Sequence, residues 1–279
     1  AERCPAAGQQ ATIGRAIKTP VTVQFTPPKN TRPGEIGTLG DATANNVDIT
    51  ATIIDLAVRG HIRITELGHN TWRFIYTGVN ERLTPVEQHL LRTMFSAGPQ
   101  VTTKELADKS YSDLLEGART ALYDRVTNDL GWFKKRPTAL RGTAVAIGLL
   151  FILGGAALGW LLGITLGLGL VGLAPILVGL LIVIMNNRFG RRTAEGSAVL
   201  AQAKGFELYL RTAEADQIRF EESIDVFSRY LPYAIVFGVA ERWAKIFEQL
   251  AAQGLYVADN SWYIGYGYGT LFNAGFTSS

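Results

Sequence analysis

The clearest pattern in the chain is one long stretch with no alternation at all. Ala144 to Met185, "AVAIGLLFILGGAALGWLLGITLGLGLVGLAPILVGLLIVIM", is 42 residues without a charged side chain. About 20 apolar residues cross a bilayer, so this length predicts two spanning helices and a tight turn rather than one span. The glycine-rich "GITLGLG" of Gly163–Gly169 marks the turn, with Trp160 near it as an interfacial aromatic. The helices are expected over about 143–162 and 168–186, inside a hairpin of 143–186. Pro175 falls in the first turns of the second helix or kinks it.

Before this stretch the periodicity changes twice. "FTPPKNTRPGEIGTLGD" reads as extended and proline-punctuated. Ile49, Ile53, Leu56 and Ala57 then recur at helical spacing behind Asp48 or Asn46 as a cap, and Gly60 stops that helix. "HIRITEL" and "TWRFIYT" alternate with period two around "GHN", which predicts a hairpin. Thr84, Pro85 and Glu87 form a capping box for the helix "PVEQHLLRTMF". A further helix is expected from Thr103 to Leu130, capped by Thr102 or Thr103. Helix, hairpin, helix, helix over 21–136 makes a winged-helix-like α+β module, expected to fold by itself from about Val21 to Leu130.

After the stretch, residues 191–254 read as amphipathic helices, with Trp243, Ile246, Phe247 and Leu250 on one face. In "RYLPYAIVFG", Pro232 is read as a helix start, and Tyr230 and Tyr233 as packing residues. The fold class is therefore an α+β membrane protein, with a winged-helix-like module, a two-helix transmembrane hairpin and a small all-α C-terminal module. Residues 1–20 are a leader or linker, and 255–279 a glycine- and aromatic-rich tail.

Charge decides how the first module is read. The chain of 279 residues carries 27 Lys and Arg against 24 Asp and Glu, a net +3. Lys134, Lys135, Arg136, Arg141, Arg188, Arg191 and Arg192 stand between Asp129 and Glu195 with no acid among them. Without these seven, 20 bases face 24 acids. The basic balance belongs to the two flanks of the apolar stretch, where it predicts contact with anionic lipid headgroups and places both flanks on the cytoplasmic side of the cell inner (plasma) membrane. The module itself has too few cations to track phosphates, which argues against nucleic acid as a partner.

Chemistry-bearing residues are sparse. The single cysteine, Cys4, excludes internal disulfides and multi-cysteine metal sites. His61, His69 and His89 complete no ligand set, and no phosphate loop, nucleophile elbow or dinucleotide fingerprint is present. The pattern supplies no catalytic, cofactor-binding or metal residue, no cofactor, and no argument for an enzyme. No ionisable group lies inside the apolar stretch, which disfavours an ion pathway. Gly155, Gly159 and Gly163 recur every fourth residue and make a face on which a second helix, in this chain or in a second copy, could approach closely.

Three blocks carry a family resemblance. They are "FTPPKNTRPGEIGTL" followed by "DITATIIDLAVRGHIRI", then "RRTAEGSAVLAQAKGFELYLRTAEAD", then "FSRYLPYAIVFGVAERWAKIF". Their sequence and order, with an apolar stretch between the first and second, resemble the predicted bacterial membrane proteins of domain of unknown function 2207. The resemblance implies a longer parent with a signal peptide, an extracytoplasmic domain, one more span upstream and often a glycine-rich tail. It implies no catalytic residues. The resulting expectation is a non-catalytic, membrane-anchored scaffold or signal-relay part of a bacterial envelope protein. It would act through protein–protein contacts of its cytoplasmic modules with a partner the sequence does not identify. The alternatives are a membrane-tethered winged-helix nucleic-acid binder and a subunit that handles lipid or envelope components.

Overall fold

The structure, a computed structural model, describes residues 21–68, 71–79, 81–109, 111–134, 136–166, 168–184, 192–213, 226–252 and 261–264. The chain divides into two compact units. One comprises residues up to Arg125 together with those from Ala194 onward; the other is Val126–Thr193. The segments expected as two modules, before and after the apolar stretch, thus belong to a single unit.

That unit starts with an unexpected helix, α1 (Pro33–Asp41). Three glycines and a proline in nine residues disguise it in sequence. Pro33 takes the first helical position, where its missing N–H is no loss, and Glu35 caps the start by accepting from the Arg32 backbone N–H at 2.9 Å. Two of the glycines are there for contact with α2 (Asn46–Val58). A Cβ on Gly34 would lie 2.8 Å from the Asp48 carbonyl oxygen, and one on Gly37 would lie 2.7 Å from the Asp48 Cγ. Asn45 caps α2, with Asp48 three residues on as its reciprocal partner. The helix stops as expected at Gly60, whose φ of +82° suits glycine.

β1 (Ile62–Gly68) and β2 (Thr71–Tyr76) pair antiparallel, and their buried positions Ile62, Ile64, Trp72 and Phe74 alternate as the sequence predicts. α3 (Pro85–Met94) follows with the Thr84–Glu87 capping box in place. The single helix expected from Thr103 is divided. β3 (Gln100–Thr102) adds to β2, and α4 (Thr103–Lys109) and α5 (Tyr111–Asp124) lead into a π-helical turn, Arg125–Asp129.

Beyond the other unit the chain returns as α8 (Ala194–Thr212), α9 (Val226–Val236) and α10 (Ala240–Ala252), so the helical reading of this part holds among the described residues. Pro232 lies inside α9 rather than at its start. Tyr230 and Tyr233 are buried, their rings edge-on to Phe206 at 4.9 and 5.6 Å. α9 packs along α2, the Tyr233 hydroxyl donates to the Thr31 carbonyl at 2.8 Å, and the Gln24 N–H donates to the Gly205 carbonyl at 3.1 Å. A short β4 (Tyr263–Ile264) completes the sheet in the order β3-β2-β1-β4.

This interleaving bears directly on the expectation that Val21–Leu130 folds alone. Without α9 the part of α2 that packs along it is uncovered, so the fragment is expected to bind a hydrophobic dye and melt without a cooperative transition. The same fragment joined through a Gly/Ser linker to 194–264 is expected to unfold cooperatively. A sharp, dye-free transition in the short fragment would refute the composite unit.

In the second unit, α6 (Pro137–Leu166) runs out, and a 3₁₀ turn at Gly169–Gly172 and α7 (Leu173–Ile184) run back along it. Gly155, Gly159 and Gly163 face this return. Cβ atoms there would lie 2.9 Å from the Gly172 oxygen, 2.9 Å from the Gly169 oxygen and 3.4 Å from the Gly169 Cα. The close approach that the stripe permits is made within the chain. Pro175 sits in the first turn of α7.

Candidate functional site

Two features stand apart from ordinary packing: a lipid-like surface on the helix pair and a buried charge cluster in the larger unit. Val145–Thr165 is 21 residues, long and apolar enough to cross a membrane, and only 11% of its most apolar window is buried. A core helix of a soluble protein would be mostly covered. Leu150 is 70% exposed and Trp160 70%. At 1.5 Å per residue the segment reaches roughly 31 Å, matching a hydrocarbon core of about 30 Å. The apolar return, Gly169–Ile184, is shorter, and 185–191 lie outside the described residues.

The two ends of the pair meet. Phe133 and Arg192 form an antiparallel bridge, and the Arg192 guanidinium stands 5.9 Å from the centre of the Phe133 ring. The Thr193 N–H donates to the Trp132 carbonyl at 2.9 Å, and its hydroxyl to the Gly131 carbonyl at 2.9 Å. Of the seven cations expected at headgroups, Lys134 is exposed and Arg136 and Arg192 are half-buried. Arg141 lies in the first turns of α6. Lys135, Arg188 and Arg191 lie outside the described residues.

The charge cluster carries no motif, and sequence reasoning missed it. Arg32, just before α1, and Arg59, at the end of α2, converge on three carboxylates. Arg59 Nε reaches Asp55 at 2.9 Å, Nη1 reaches Glu81 at 3.2 Å, and Nη2 pairs with Glu87. Arg32 approaches the same carboxylates: Glu87 at 3.4 Å, Glu81 at 3.6 Å and Asp55 at 3.9 Å. Glu87 and His61 are fully buried. His61 Nε2 meets Glu81 at 3.1 Å, and its Nδ1 has no partner among the described residues. Glu35, 2% exposed, extends the cluster by accepting from Arg125 Nε at 2.9 Å.

The electrostatics follow from burial. Burial pushes the Asp55 carboxyl up, against the pull of Arg59 and Arg32. Glu35 is likewise raised by burial despite its bond from Arg125. Burial would lower the Arg59 guanidinium, but Asp55, Glu87 and Glu81 outweigh it and hold the group above its ordinary value. Burial and the nearby Asp55 also raise the Tyr233 phenol. Arg59, the cation at the end of α2, is committed to these carboxylates. Among the described residues no group of three or more His, Cys, Asp or Glu could hold a metal ion. Every carboxylate of the cluster faces a guanidinium, an arrangement that fixes the start of α1, the end of α2, α3 and the Glu81 loop to one another.

A cleft of about 420 Å³ opens elsewhere in the same unit, walled by Ile36, Leu200 and Phe237 and floored by Asp48. Its volume falls within the range of small-molecule pockets. Asp48 Oδ2 accepts from the Asn45 N–H at 3.0 Å and from the Thr38 hydroxyl at 3.2 Å. Burial raises its pKa to about 7.

An α+β unit interrupted by a lipid-facing helix is the architecture of a membrane protein. The family described as predicted membrane protein (DUF2207), C-terminal domain, matches residues 22–247, and the chain belongs to it. No curated protein and no solved structure matches the chain.

Proposed function

We propose that the chain is a non-catalytic, membrane-anchored scaffold or signal relay that works through protein contacts of its folded unit. One observation carries this reading. The helix pair is inserted into one compact unit, leaving it after Arg125 and rejoining it at Ala194. A displacement of the pair therefore enters the unit through two covalent links, and Arg125 is itself bonded to the buried Glu35. In this reading both helices span the inner membrane as a hairpin and both flanks are cytoplasmic. The flanking cations contact anionic headgroups, worth about 1 kcal/mol each near such a surface. The bridge between Phe133 and Arg192 supports a common side for the two ends. Helix α2 followed by β1–β2 serves as a winged-helix-like contact module. The commitment of Arg59 to carboxylates, and of Arg63 Nε to the Ser261 carbonyl at 3.3 Å, favours protein over nucleic acid.

The test is a wedge in the helix pair. Gly159→Leu, in the full chain in nanodiscs, forces α6 away from the Gly169 turn. Hydrogen exchange is expected to accelerate in α1 and α2, whose ends hold the charge cluster. Unchanged exchange there, with the pair demonstrably separated, would reduce the pair to an anchor and overturn the relay.

A further inference from the structure

The cleft beside α1 ends on an acid that is only half used. Asp48 is 3% exposed. Among the described residues its side chain accepts two hydrogen bonds, from the Asn45 N–H and the Thr38 hydroxyl, and both fall on Oδ2. Oδ1 sits where three residues of the cleft meet. A Cβ on Gly37 would overlap Oδ1 and come 2.9 Å from the Val236 Cγ1. Glycine at this position leaves open the space that Oδ1 faces. A buried acceptor with no donor costs free energy, and a ligand that donates there recovers it.

The surroundings favour a cation. Asp41 and Glu207 also line the cleft, against one cation among the described residues, the exposed Lys204. Glu207 is partly neutralised, because its Oε1 accepts from Arg211 Nε at 2.8 Å. α1 and α9 end at the cleft, at Asp41 and Val236, and helix C-termini carry partial negative charge. The start of α2 brings the opposite sign, which Asp48 itself answers in the first turn. The walls are apolar: Ile36 from α1, Leu200 from α8, and Ile235 and Phe237 around the end of α9.

We propose that this cleft binds a small organic cation, a primary ammonium on a compact apolar body. The ammonium donates to Asp48 Oδ1, and the body packs against Leu200 and Phe237. A charge-assisted bond of this kind is about twice as strong as a neutral one. A quaternary ammonium has no N–H to give, and an anionic ligand meets like charge. The cleft lies inside the folded unit, and its assignment owes nothing to the relay reading.

The experiment titrates the full chain in a non-ionic detergent with cyclohexylammonium, followed by ligand-observed NMR. At about pH 8 an amine of this class is protonated. Saturable binding is expected near about 1 mM, an ordinary affinity for so few atoms. Cyclohexanol has the same shape without the charge and is expected to bind at least about tenfold more weakly. Asp48→Asn is expected to weaken cyclohexylammonium by about tenfold or more, as a neutral amide oxygen replaces the carboxylate. No saturation by about 10 mM, or binding indifferent to Asp48→Asn, overturns the proposal. Cyclohexanol bound as tightly as the ammonium overturns the cationic class. Should Asp48→Asn fail to fold, Leu200→Trp decides. It fills the cleft from the half-buried wall of α8 and is expected to abolish binding. A folded Leu200→Trp chain that still binds puts the ligand elsewhere and overturns the site. The wedge experiment on Gly159 reads hydrogen exchange instead, so the relay and the cleft fail separately.

Discussion

Arg59→Met is expected to lower the stability of the folded unit by about 3–5 kcal/mol, the range for removing one partner of a buried ion pair. The whole margin of a folded domain is only about 5–15 kcal/mol, so the variant should accumulate poorly or melt far below the parent. Packing cannot account for such a loss. Methionine is close to the arginine stem in length and flexibility, and the Arg59 side chain is 15% exposed. The charge left behind can account for it. Glu87 is fully buried and Asp55 10% exposed, and Arg32 alone reaches both, at 3.4 and 3.9 Å. The control separates the two causes. Adding Asp55→Asn and Glu87→Gln to Arg59→Met removes the orphaned charges while Gln can still close the cap with Thr84. The triple variant is expected to recover most of the loss in a thermal melt. A triple variant as unstable as the single one would mean that the guanidinium acts through shape.

The cluster explains why sequence patterns failed where they did. Capping boxes, glycine stops and period-two strands are local, and Thr84–Glu87, Gly60 and the β1–β2 alternation were all legible. So was the apolar stretch, because lipid imposes a length and a composition on it. Arg32, Asp55, Arg59, Glu81 and Glu87 meet only after α1, α2 and α3 have packed, and no spacing announces that meeting. α1 stayed hidden for a related reason. Gly34 and Gly37 weaken a helix by propensity, yet they are the residues that let it lie against α2. β4 was invisible because its partner strand is about two hundred residues upstream in sequence, as the Tyr263–Glu66 bond across 197 positions shows. The one-unit organisation follows from the same long-range contacts, which the apolar stretch separates in sequence.

Asp48→Asn tests a buried acid that no guanidinium compensates among the described residues. Asp48 is 3% exposed, with no guanidinium beside it among the described residues, and burial raises its carboxyl from 3.8 to about 7; nearby Asp41 adds to the rise. A folded-state value above the unfolded one means that, between about pH 4 and pH 7, the folded chain holds a proton that the unfolded chain has released. Stability from this group is therefore greatest below about pH 4 and falls as pH rises to about 7, where the full penalty of the buried charge is reached. The difference corresponds to roughly 4 kcal/mol at 1.36 kcal/mol per pKa unit. The position works in the opposite direction, because the first turn of α2 favours an anion by up to about 2 kcal/mol. Net, the asparagine variant is expected to be about 2–3 kcal/mol more stable than the parent at pH 8. Its amide oxygen can still accept from the Asn45 N–H and the Thr38 hydroxyl. Near pH 4 the advantage should vanish, since the parent's carboxyl is then neutral too. For a unit of this size the gain at pH 8 amounts to roughly 4–12 °C in melting temperature. Glu35 and Asp55, also raised by burial, give both proteins a shared decline toward alkaline pH, so the informative quantity is the difference between the two curves. Melting curves of both chains in detergent from pH 4 to pH 8 that stay parallel would show Asp48 ionised throughout, and the burial account of this residue would fail.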